Sequence, residues 1–132
     1  MAGNMMYVLD TCVLLWWTLD PENLSPLAAK HCKNIDTQGA CIASVSLWEI
    51  GVKIQKGKLN IGMPIRSFVK LLSQVNIEQV PVDTDLWLES LDLDWEHRDP
   101  ADRLIVALAK QRDLPILTAD NLIREYYPSV IW

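Results

Sequence analysis

The sequence predicts an α/β fold, a three-layer α/β/α sandwich around a central parallel sheet of four or five strands, and three observations point there. Short apolar runs of strand length alternate with longer stretches in which apolar residues return every three or four positions, the pattern of βαβ units. The short runs suit strands covered on both faces, as a parallel sheet requires. Half of the 132 residues are hydrophobic and only 22% are charged, so the chain has the material for a packed core and not for a disordered segment.

Taken along the chain, strands are expected at residues 7–9, 40–43, 78–81, 115–117 and, on a weaker signal, 130–131. Helices are expected at residues 11–19, 26–33, 47–55, 64–73, 84–91, 100–111 and 121–126. Leu47, Ile50, Gly51 and Ile54 recur at helical spacing, as do Leu104, Ala107, Leu108 and Gln111, so each of these two helices should bury one face. Lys56-Gly57-Lys58 and Gly62-Met63-Pro64 mark a short connection between two helices, the signature of a helical hairpin. No repeat or interdomain linker is visible, and 132 residues suit one domain that hides about two thirds of its unfolded surface. Residues 1–6 read as tag-derived or disordered.

Composition limits the functions open to the chain. Twelve Lys and Arg against 17 Asp and Glu leave a net charge of -5, which opposes a nucleic-acid partner unless positive charge is concentrated locally. Cys12, Cys32 and Cys41 form no C-x-x-C pair and are odd in number, so neither a disulfide framework nor a zinc site is indicated and a reducing cytoplasm is expected. The most apolar stretch, residues 13–19, is too short to span a bilayer, and no membrane anchor or signal peptide is expected.

The carboxylates fall at informative places. Asp10 stands where the first apolar run stops and a helix starts, and Asp120 does the same after Ile116-Leu117-Thr118-Ala119. Glu49 lies early in the helix after the second strand, and Asp99 and Asp102 open the helix at residues 100–111. Each has a structural reading as well. Asp10, Asp99 and Asp120 suit helix N-caps, Ser46-x-x-Glu49 reads as a capping box, and Asp102 favours a helix dipole. Together they mean more, because helix starts that follow parallel strands open on one edge of the sheet. Two carboxylates ~5 Å apart repel by roughly 3 kcal/mol at an effective dielectric of ~20, and a bound divalent cation removes that cost. Hard oxygen donors favour Mg²⁺ or Mn²⁺ over zinc. Hydrolysis of a phosphodiester is the chemistry such a site supports.

Four segments carry a family likeness: Leu9-Asp10-Thr11-x-x-Leu14-Leu15-Trp16; Ala43-Ser44-x-Ser46-Leu47-Trp48-Glu49-Ile50; His97-Arg98-Asp99-Pro100-x-Asp102-Arg103-Leu104-Ile105-x-Ala107; and Leu117-Thr118-x-Asp120. In order and spacing the chain resembles the PIN-domain family, and within it the VapC-type toxins of bacterial toxin-antitoxin pairs. The resemblance implies a PIN-like α/β/α sandwich that cuts RNA with Mg²⁺ or Mn²⁺, is silenced by a cognate antitoxin, and forms a homodimer. It implies Asp10, Glu49, Asp102 and Asp120 as the catalytic acids. Asp10, Asp102 and Asp120 would be the main metal ligands, with Glu49 and lastly Asp99 assisting. Thr11, Ser44 and Thr118 would orient the carboxylates. Cys12 stands where this subgroup often has His, Ala101 where Phe is common, and Ala119 where a basic residue often precedes the last acid.

The remaining residues divide between structure and substrate. Lys53, Lys56, Lys58, Arg98 and Arg103 suggest a path for phosphates or a solvated face. The six tryptophans read as core or interface groups before base-stacking ones, and His97 as polar loop surface. The competing functional class is a catalytically weak PIN-like module that binds RNA or protein. An aspartate-nucleophile phosphatase would want a second Asp where Cys12 stands, and a phosphoacceptor receiver would want an acidic pair on the first strand.

Overall fold

The apolar runs form five strands, β1 (Val8–Leu9), β2 (Ala40–Ala43), β3 (Ile77–Val80), β4 (Ile116–Leu117) and β5 (Val130–Ile131). They pair in parallel in the order β3-β2-β1-β4-β5. This computed structural model describes residues 7–132, and the expectation for residues 1–6 lies outside the described residues. Val8 stands opposite Cys41 on one side and Ile116 on the other, and Leu9 stands opposite Leu117. The chain therefore winds to one edge through β2 and β3, then returns past β1 to build β4 and β5.

Side chains of a strand alternate between faces, and the core obeys that period. Leu9, Ile42, Ile77 and Leu117 point into one apolar layer with Leu14, Ile50 and Phe68. Val8, Cys41, Val80 and Ile116 point into the other with Leu86, Leu104 and Ile123. The first layer is closed by helices α1 (Thr11–Leu19), α2 (Pro26–Cys32), α3 (Ile35–Gln38), α4 (Val45–Gln55) and α5 (Ile65–Leu72), the second by α6 (Thr84–Asp92), α7 (Pro100–Arg112) and α8 (Asn121–Tyr126). The three-layer sandwich is the expected one, with five strands.

Several elements differ in detail from the sequence expectation. The four-residue α3 was not anticipated, since it is shorter than any helical period and ends at Gly39 with φ 78°. Strand β3 begins one residue early, at Ile77. Helix α4 starts at Val45, so Ser46 lies inside it, fully buried, and accepts a hydrogen bond from the Thr11 hydroxyl at 2.9 Å. The capping box of Ser46 with Glu49 therefore does not form, and Ser46 ties α4 to α1. Helix α7 was expected to bury one face, but all six residues from Leu104 to Ala109 are buried, because α7 packs against β1, β2, α4 and α6 at once. A helix enclosed on all sides has no amphipathic period to read. Gln111, at the end of the predicted stripe, is exposed.

Helices α4 and α5 pack together across a connection that turns at Gly57 (φ 71°) and Gly62 (φ 75°), with Ile61 buried between them. Both glycines occupy the left-handed region that side chains disfavour. Asp113, the residue that ends α7, takes the same region with φ 54° and ψ 49°. Glycine there would relieve a Cβ clash of about 1 kcal/mol. Asp113→Gly should therefore stabilise the fold by roughly 0.5–1 kcal/mol, read as a higher midpoint in urea with an unchanged slope.

Candidate active site

In an open parallel sheet the strand order reverses at one point, and the loops leaving the two strands that flank it diverge to leave a crevice. Here the reversal falls between β1 and β4. Asp10 follows β1 directly, and Thr118 and Asp120 follow β4.

The carboxylates are held there by the helix starts. Oδ1 of Asp10 accepts the Val13 N–H at 2.7 Å as the N-cap of α1. Its Oδ2 accepts the Thr118 hydroxyl. Oγ1 of the fully buried Thr118 also accepts the Asp120 N–H at 3.0 Å, so one threonine joins the two acids. Asp120 caps α8, its Oδ1 accepting the N–H groups of Leu122 and Ile123 at 2.8 and 3.1 Å. Asp99 caps α7 through the Asp102 N–H at 3.0 Å. The capping and site readings of these aspartates thus coexist, since each cap engages one oxygen of a carboxylate.

All five predicted acids line one cleft of about 370 Å³, together with Thr11, Cys12, Trp16, Lys53 and Ala119. Glu49 and Lys53 are one turn apart on α4, which places them on the same side of that helix. Of the predicted orienting residues, Thr118 holds Asp10 directly, Thr11 bonds to Ser46 instead, and Ser44 donates its N–H to the Val80 carbonyl. Lys53 alone of the five predicted cations lines the cleft. Arg103 is corrected outright: its guanidinium donates to the carbonyls of Ser90, Leu93, Trp95 and His97. The reading of His97 as polar surface is corrected too, because its Nε2 lies 2.7 Å from Oδ2 of Asp102. The only signal in the sequence was a ring five residues ahead of an acid whose helix start Pro100 fixes. Trp48 and Trp87 do not join the core of the chain, being 69% and 47% exposed.

The site is electrostatically expensive. Burial pushes the Asp10 carboxyl from 3.8 up to about 6, and the negative charges of Asp102 and Asp120 push the same way against the bonds from Thr118 and Val13. Burial also raises Asp102, helped by Asp99 and Asp120, while the His97 bond lowers it. The Cys12 thiol is raised by burial and by the field of Asp10, so it is no ready nucleophile.

A divalent cation fits this donor set. The oxygens are hard, negative and crowded, and an ion among them cancels the repulsion that burial magnifies. Among the described residues no three His, Cys, Asp or Glu side chains are gathered into a ready-made metal cage. Mg²⁺ does not demand one, since it keeps several waters and is held by one or two carboxylates.

Known proteins bear out the fold. A toxin-antitoxin complex from Klebsiella pneumoniae contains a chain similar to this one at 17% identity and a TM-score of 0.66, with 96% of each chain covered. VapBC2 from Rickettsia felis, solved bound to a DNA fragment from its promoter, is similar at 14% identity and a TM-score of 0.68, also with 96% of each covered. FitAcB from Neisseria gonorrhoeae gives 18% and 0.64 over 95% of this chain and 96% of that one. Ribonuclease VapC22 of Mycobacterium tuberculosis is 25% identical over 129 residues, covering 95% of this chain and 97% of the relative. The sequence profile of the PIN domain matches residues 7–127, and with the fold and the arrangement of acids it places this chain in the PIN domain family.

Proposed function

We propose that this chain is a divalent-metal-dependent endoribonuclease, the toxin of a toxin-antitoxin pair. The observation that carries the reading is the meeting of Asp10, Glu49, Asp99, Asp102 and Asp120 in one cleft at the switch point of the sheet. The similarity to a VapC ribonuclease over almost the whole chain supports it. Asp10, Asp102 and Asp120 hold Mg²⁺ or Mn²⁺, and Asp99 contributes from the start of α7. When bound, the ion supplies Lewis acidity at the scissile phosphate. Thr118 keeps Asp10 and Asp120 in fixed relation through its two hydrogen bonds. Glu49, half-exposed and uncapped, orients the attacking water and accepts its proton. Lys53 sets a positive charge against the substrate phosphate.

The same reading assigns the partners. RNA is the substrate, and the cytoplasm, where three unpaired cysteines stay reduced, is the compartment. An antitoxin segment covers the cleft, in keeping with the toxin-antitoxin complexes among the structural neighbours. Exposed Trp48, Trp87 and Leu91 supply apolar surface for a homodimer. Among the described residues no helix is long and apolar enough to cross a membrane.

Cleavage of a panel of structured RNAs with Mg²⁺, with Mn²⁺ and with EDTA tests the activity. Wild type should cut only with metal, and Asp10→Asn, prepared identically, should fold and not cut. A folded Asp10→Asn with undiminished cutting sinks the site assignment, and two inactive proteins would favour a binding-only module.

Lys53→Ala should weaken RNA binding and lower the slope of log K against log salt by about 0.7–0.9. An unchanged slope would remove Lys53 from the phosphate path.

The raised Asp10 carboxyl makes stability fall with pH. A folded-state value of about 6 against an ordinary 3.8 means the native state binds the extra proton in that window. Its contribution is therefore full below pH 3.8 and lost as pH rises through 6. Without divalent metal the loss approaches roughly 3 kcal/mol, and Asp10→Asn should flatten it. Urea titrations at pH 4 and pH 7 read both, and a wild type equally stable at the two would refute the charge assignment.

A further inference from the structure

Residues 93–99 connect α6 to α7 without regular structure, yet the segment is heavily fastened. Four hydrogen bonds run to it and to the last turn of α6 from one guanidinium, that of Arg103. Its Nε donates to Ser90 at 3.0 Å, its Nη2 to Leu93 at 2.9 Å, and its Nη1 to Trp95 at 2.6 Å and His97 at 2.8 Å. Arginine has five N–H donors, so nearly its whole capacity is used on backbone carbonyls. The His97 ring lies 4.8 Å from Trp95, whose own ring stacks at 4.6 Å and 8° on Tyr126 of α8. His97 is thus fixed at its carbonyl by Arg103 and at its ring by Trp95. What the fixed ring does is hold Asp102, with Nε2 2.7 Å from Oδ2 and both side chains 21% exposed.

An ionised carboxylate only accepts hydrogen bonds, so the hydrogen of this pair belongs to Nε2. Successive helical residues project about 100° apart, which lets Asp102 face the cleft while Arg103 faces the connecting segment. The contacts close a ring: Arg103 holds the segment, the segment holds His97, and His97 holds the neighbour of Arg103. Oδ1 of Asp102 makes no hydrogen bond among the described residues.

We propose that His97 is a positioning residue for the metal site, its Nε2–H fixing one oxygen of Asp102 so that the other is presented to a divalent cation, with Arg103 as the anchor that keeps the ring in place. This inference rests on the metal-dependent reading above. It differs from a plain loop staple because the donor, and not the ring's bulk, is what the ion feels.

Two variants separate donor from bulk. His97→Phe keeps a ring against Trp95 and removes the donor, whereas His97→Gln removes the ring and keeps an N–H that reaches the carboxylate. Mn²⁺ binding to the full chain, read from the EPR signal of the free ion, is compared with thermal unfolding in EDTA. His97→Phe should bind Mn²⁺ about 10–100-fold more weakly with unfolding in EDTA unchanged, and His97→Gln should recover most of the affinity. Wild-type affinity in His97→Phe overturns the proposal, as does a His97→Gln as weak as His97→Phe. If His97→Phe fails to fold, His97→Ala carries the same comparison. A wild type that binds no Mn²⁺ overturns the metal reading and this inference with it, whereas a binding wild type and an unaffected variant overturn this inference alone.

Discussion

Burial of the Asp10 carboxylate is the constraint around which the working edge of this molecule is arranged. The residue is 5% exposed, placed by β1 at the middle of the sheet, and loses most of its hydration there. A buried charge is tolerated only with hydrogen bonds or a countercharge. The Val13 N–H and the Thr118 hydroxyl provide the first, yet burial still outweighs them, since the carboxyl remains raised to about 6. Asp102 and Asp120 add to the burden. Such an assembly stores a demand for positive charge, and the cleft answers it with one lysine.

Topology explains why the acids meet although they are far apart in sequence. Parallel strands all end on the same edge, and the helices that follow β1, β2 and β4 start there, which gathers Asp10, Glu49 and Asp120. Residues 93–99 carry the chain from α6 to the start of α7 and bring Asp99 and Asp102 to the same cleft. An aspartate at the N-cap of such a helix is useful twice. One of its oxygens satisfies N–H groups that the first helical turn leaves unpaired, which fixes the side chain, and the other stays available to the cleft. Asp99 and Asp120 follow this division, while Asp10 spends its second oxygen on Thr118. Placement of Asp10, Asp99 and Asp120 is therefore largely a by-product of helix capping, whereas Asp102 is held by His97 from the neighbouring segment.

The legible part of the fold was the part written in short-range periods. Buried strands and the starts of α1, α7 and α8 follow from apolar runs and capping chemistry, and the five acids follow from where those elements stop and start. What depended on packing between distant segments was not legible. Ser46 looked like a cap because Glu49 follows it by three residues, but burial against Thr11 recruits its hydroxyl. The buried circumference of α7 arises from four neighbours that no local window contains. Arg103 looked like a phosphate contact because a cation near an acid invites that reading, whereas four carbonyls of an irregular segment claim it. His97 reads as loop surface for the mirror reason, since its partner is in the next helix and the segment's path decides whether they meet.

The net charge of -5 weighs against a polyanionic substrate, and the proposed metal site offers an answer to the objection. Attraction for RNA would have to come from local positive charge, because charges beyond ~8 Å are largely screened at physiological salt. In the cleft Lys53 stands against five carboxylates, so the protein alone repels a phosphate there. With a divalent ion held among the acids the local sign moves toward the substrate's needs, and Lys53, one turn beyond Glu49, adds to the same field. On the proposed reading the ion would then serve the approach of the phosphate as well as the reaction. On that reading, metal dependence of binding and metal dependence of cutting would share one origin, namely the cost of crowding acids at the end of β1.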